Sequence, residues 1–133
     1  MISYLRIGAL SIGALVLAGG IAPAQTPRTA TLMREKLAHS QKILEALTTS
    51  NQMLLLRESE ALQRIAESPQ WTAELRTPEL RAYADRFVKT TADLSAAARD
   101  HDVDAAAAHY NTLTTACYQC HKRLKDIRIA TVR

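Results

Sequence analysis

Glycine is absent after Gly20. The rest of the chain therefore lacks the residue that tight hairpin turns most need. No alternating apolar–polar strand pattern appears either, so the reading is all-α. Cysteine is nearly absent too, with two in the chain. A structural zinc site normally takes four protein ligands, and no second C-x-x-C or H-x₃-H cluster completes a set. Aromatic residues number six, and one of them, Tyr4, lies in the N-terminal stretch. A core with so few rings is thin. No strong charge excess is present. Without Arg6 and its neighbours, 16 basic residues face 13 acidic ones, a net charge of +3. That is too little for a nucleic-acid surface, and no aromatic-plus-basic stripe accompanies it.

The one long apolar run is N-terminal. Residues 1–24 read as a signal peptide, with a basic Arg6, an apolar stretch from Ile7 to Leu17 and small residues at Ala22-Pro23-Ala24. The stretch is short for a span of about 20 residues. A cleaved leader is therefore expected, with a single domain over residues 25–133, placed in the periplasm and with no membrane segment in its mature form.

What is present is one motif. Cys117-Tyr118-Gln119-Cys120-His121 is a C-x-x-C-H sequence, the pattern of a covalent c-type haem attachment site. Each thiol can add across one vinyl group of the porphyrin, and His121 can bind the iron from one face. A redox C-x-x-C pair of the thioredoxin kind expects a βαβ setting that is missing here. A plain disulfide would leave His121 unexplained. A buried haem would also supply apolar bulk that the aromatic-poor core lacks.

Four helices are predicted. The first runs from about Pro27 or Thr29 to Thr49, with a stripe at Met33, Leu37, Ser40, Leu44 and Leu47. The second follows a turn at residues 48–51 and runs to about Ser68, burying Leu55, Ala61, Leu62 and Ile65, with Pro69 as its stop. Residues 69–77 form a connection carrying Trp71. Thr77-Pro78-Glu79 marks the third helix start: a capping Thr, Pro in the first turn and an acid beside it. That helix runs to about Arg99, with a stripe at Leu80, Tyr83, Phe87, Leu94 and Ala98. Asp102 caps the fourth. There the stripe is Val103, Ala106, Tyr110, Leu113, Cys117, Cys120, Leu124 and Ile127, which sets both thiols in a bundle seam. Short connections predict an antiparallel up-down-up-down four-helix bundle.

The opposite face of the iron needs a candidate. In an antiparallel bundle the end of the last helix lies beside the start of the first, so Met33 shares a depth with His121. Met53, His101 and His109 belong to the far end. His39 is expected on a flank shared with Ala46, away from the stripe. Arg34 or Arg76 could face a propionate. Lys122, Arg123, Lys125 and Arg128 form a basic cluster after the motif, suited to a helix C-terminus or to an acidic redox partner.

This pattern resembles the class II c-type cytochromes, meaning cytochrome c prime and its low-spin relatives. The resemblance is specific at Cys117, Cys120 and His121, with Lys125 at the basic position often found four residues after the histidine. It implies one covalent haem c per chain, with His121 and Met33 as iron ligands. It also implies a non-enzymatic one-electron carrier serving redox partner proteins. Relatives that place a non-bonding residue opposite the histidine are five-coordinate and bind nitric oxide or carbon monoxide. Relatives are often homodimers, although no separate dimer stripe is visible here.

Overall fold

The computed structural model describes residues 27–73, 75 and 77–132, with the backbone alone for residues 27, 128, 129, 131 and 132. The expected leader and Arg76 lie outside them. The described residues are all-helical and bundle-like, in five helices: α1 (Pro27–Thr48), α2 (Gln52–Ala66), α3 (Pro69–Ala73), α4 (Pro78–Arg99) and α5 (Val103–Val132).

The helix ends follow local chemistry. Asn51 Oδ1 accepts from Leu54 N at 3.0 Å, and Thr77 Oγ1 from Leu80 N at 3.2 Å. Asp102 Oδ1 accepts from Ala105 N at 2.9 Å. Each satisfies a donor that the first helical turn leaves free. The C-terminal ends are less usual. Asn51 N bonds Ala46 O and Asp102 N bonds Ala97 O, both at the spacing of a Schellman turn. The left-handed residue of that turn is normally glycine. Here Ser50 (φ 54°) and His101 (φ 58°) take it. Pro69 both stops α2 and opens α3, a short helix where a plain connection was expected.

The helices pair mainly with their chain neighbours: α1 with α2, α2 with α4, and α4 with α5. α1 and α5 meet only sparingly. Their link is Tyr110, whose hydroxyl donates to Ser40 O at 3.0 Å. Core residues Ile43, Leu62, Leu94, Ala106 and Leu113 are almost fully buried.

This pairing corrects the expected face of α1. Leu37 and Leu44 are 58% and 49% exposed, whereas Lys36, Ile43 and Ala46 are buried. Because α1 leans on α2 more than on α5, its buried line turns toward α2 and leaves the leucine edge open. In α2, Ala61 and Ile65 are only half-buried, while Glu58 and Ser59 join Leu55, Leu62 and Ala66 inside. The expected stripe of the last helix holds: Ala106 and Leu113 are buried, and Val103, Tyr110, Cys117, Cys120, Leu124 and Ile127 are half-buried.

Candidate functional site

Cys117 and Cys120 lie one turn apart on α5, half-buried and free. Burial pushes both thiols above the usual thiol range, and the nearby Lys36 ammonium partly opposes it. Cys117 packs against the core that contains Trp71 and Phe87. His121 is exposed, not tucked into the core beside the cysteines. Its direction explains this. A helix turns about 100° per residue, so His121 lies within about 20° of Tyr110 around the α5 axis. Tyr110 is the residue that reaches α1. His121 therefore lies on the same side of α5, toward the α1–α5 crevice, the stretch where the two helices meet only sparingly.

Met33 has the matching place on α1. It lies within about 20° of Ser40 around that axis, and Ser40 receives the Tyr110 hydrogen bond. Helical side chains lean toward the N-terminus of their own helix. In an antiparallel pair, Met33 and His121 consequently lean toward each other. Met33 is half-buried and packed against the core. Leu37 on α1 and Tyr118 on α5, 66% exposed, lie one turn from Met33 and from His121. Leu44 is about 16 Å along α1 from Met33, beyond the Ser40–Tyr110 bond, and Met53 is 79% exposed at the start of α2.

The core against which Cys117 packs holds the residue that sequence reasoning missed. Lys36 is 8% exposed. Its Nζ sits 3.4 Å from the Trp71 ring centroid and 3.7 Å from that of Phe87. The two rings are themselves 5.7 Å apart. Burial lowers the amine to about 8, against an upward pull from Cys117 and Cys120. The available signal was its spacing: Leu32, Lys36, His39, Ile43 and Ala46 form a stripe as regular as the one containing Met33. Trp71 is buried in this core. Its Nε1 has no hydrogen-bond partner among the described residues.

The remaining candidates go elsewhere. His39 is not a surface histidine: its Nδ1 lies 2.7 Å from Glu58 Oε2, and Ala46 on its flank is buried. Burial pushes the Glu58 carboxyl up, but hydrogen bonds from His39 and Arg57 outweigh it and hold the group below its usual value. An open groove of about 910 Å³ runs between α1 and α2 past His39, Arg28 and Arg64, on the other side of α1 from the crevice. His101 is exposed in its turn, and His109 is half-buried. Arg34 donates to Thr31 at 3.2 Å. In the basic cluster, Arg123 pairs with Glu79 at 2.8 Å, while Lys122 and Lys125 are exposed.

The residues present fit a flat apolar cofactor. Two free thiols stand on one helix face with His121 next in sequence, Cys117 and Met33 pack against one apolar core from α5 and α1, and that core holds an unpartnered indole N–H. Among the described residues, no three His, Cys, Asp or Glu side chains gather to hold a bare metal ion, and no helix is long and apolar enough to cross a membrane. No family model, curated protein or solved structure matches the chain.

Proposed function

We propose that the protein is a periplasmic c-type cytochrome of the class II kind, an antiparallel four-helix bundle carrying one covalent haem between α1 and α5. The observation that carries this reading is the place of the motif: Cys117 and Cys120 stand free and half-buried on α5, Cys117 and Met33 pack against one core, and α1 and α5 meet only sparingly. When bound, haem supplies an iron that cycles by one electron. Cys117 and Cys120 hold the ring to α5. His121 offers an imidazole nitrogen from one side and Met33 a thioether from the other. Leu37 and Phe87 would keep water from the ring. None of these groups is placed as a general acid, base or nucleophile, which suits electron carriage to a redox partner and not catalysis. The exposed Lys122 and Lys125 suit an acidic docking face on that partner.

A five-coordinate haem that takes up nitric oxide or carbon monoxide is the second reading. It is favoured by the packing of Met33 against the core, where its thioether serves as ordinary apolar bulk.

The test is the absorption spectrum of the exported, purified protein, ferric and ferrous, with and without carbon monoxide. Electron carriage predicts a low-spin spectrum unmoved by carbon monoxide. It also predicts a weak ferric thioether-to-iron band that disappears in Met33→Ala. A high-spin spectrum that shifts with carbon monoxide would remove Met33 as a ligand and favour gas binding. A colourless protein, with no haem left on the chain after denaturation, would end both readings.

A further inference from the structure

We infer that Lys36 is a second distal ligand, whose amine takes the sixth position of the iron when Met33 leaves it. This rests on the haem reading above. Lys36 is a buried cation without a buried anion. Among the described residues no carboxylate pairs with it, and its neighbours are the Trp71 ring from α3, the Phe87 ring from α4 and the two thiols of α5. A strongly hydrated ammonium is costly to bury in such company. Ordinary surface lysines avoid the cost by keeping the charged head in water, yet this one stays inside, beside the cysteines that would carry the ring.

Position selects a ligand role over pairing with a propionate. Thioether bonds at Cys117 and Cys120 tie the vinyl edge of the porphyrin next to Lys36. The propionates occupy the opposite edge and point away from it. What remains within reach of a flexible four-carbon stem is the ring face on the α1 side, the side from which Met33 approaches. Both residues belong to α1, one turn apart.

The chemistry balances without a co-reactant. Lys36 gives up one proton to solvent, and the freed lone pair makes the nitrogen–iron bond as the Met33 sulfur–iron bond breaks. Burial already eases the proton loss by lowering the amine.

The experiment uses holoprotein exported with haem-attachment machinery, in four forms: parent, Met33→Ala, Met33→Ala with Lys36→Ala, and Met33→Ala with Lys36→Arg. Haem staining after denaturing electrophoresis comes first. A parent without covalent haem refutes the haem reading and this inference together. With haem attached, ferric absorption and electron paramagnetic resonance are recorded at one mildly alkaline pH. Met33→Ala is expected to stay low-spin, with a nitrogen–nitrogen resonance in place of the nitrogen–sulfur one. Both double variants are expected to lose the low-spin signal, and their ferrous forms to bind carbon monoxide readily. Arginine keeps the charge and length but cannot ligate, so its failure to restore the low-spin signal separates ligation from packing. If Met33→Ala is already high-spin, or if either double variant stays low-spin, Lys36 is not a ligand and the haem reading stands alone.

Discussion

The buried Lys36 makes a sharp prediction about stability. Consider Lys36→Met in the haem-free chain, with Cys117 and Cys120 kept as reduced thiols in both forms. The folded amine has a pKa of about 8 against 10.5 for the free side chain. Below pH 8 it is protonated in both states, and the cost of burying the charge is fully present. Between pH 8 and 10.5 the unfolded chain still binds a proton that the folded chain has released, so stability rises with pH across that window. A difference of about 2.5 in pKa corresponds to about 3 kcal/mol. The two ring contacts favour the charged form, which brings the expected swing to about 1–3 kcal/mol. Denaturant unfolding followed by helical circular dichroism, at pH 7 and pH 10.5, measures it. At pH 7 the methionine variant should be the more stable, and its advantage should shrink by that swing at pH 10.5. An advantage that changes by less than about 0.5 kcal/mol would refute the reasoning, because it would place the amine in water.

His101→Gly should stabilise the fold by about 1 kcal/mol, since a side chain in the left-handed region costs about that much; thermal melts check it, and Ser50→Gly should behave alike. Glu58→Gln should flatten the acid limb of the stability curve. The parent carboxyl is held below its usual value, so its contribution is complete above pH 4.5 and is lost as pH falls through the folded pKa. Unfolding at pH 3 and pH 7 tests the difference, and at pH 7 the weaker His39 bond should cost about 1–2 kcal/mol. Leu37→Ala should change haem-free stability by less than about 0.5 kcal/mol, as befits an exposed residue, and should cost the holoprotein clearly more if the leucine covers the ring. Equal effects in the two forms would remove Leu37 from the cofactor site.

Which parts were legible from sequence follows from how local their causes are. α4 begins at Pro78 and ends at Arg99, as Thr77-Pro78-Glu79 and Asp100 dictate within a few residues. The seam of α5 was readable because the helix packs on α4 along its length. The face of α1 was not readable. Two stripes, one through Met33 and Leu37, one through Lys36 and Ile43, fit its period equally well. The choice depends on α1 lying closer to α2 than to α5, which no local pattern records. His39 keeps the expected flank with Ala46, but α2 covers that flank for the same reason. Lys36 was passed over because a lysine on a helix usually marks the wet side. α3 is too short to show a period. The proposed site rests on Cys117, Cys120 and His121, whose order is itself the motif; what faces them is set by tertiary packing, which no local pattern records.

The sparing contact between α1 and α5 has a kinetic consequence. The other main pairings join neighbours in the chain, so most of the structure can form with little loop-closure entropy. Such low contact order belongs to helical proteins that fold in microseconds to milliseconds. The Ser40–Tyr110 bond, spanning 70 residues, closes the ring of helices and is expected to form last. Native-state hydrogen exchange should therefore find early opening along α1, the long helix with the fewest partners to release. Under the haem reading, the side that would part to admit a flat ligand is the side that opens at least cost.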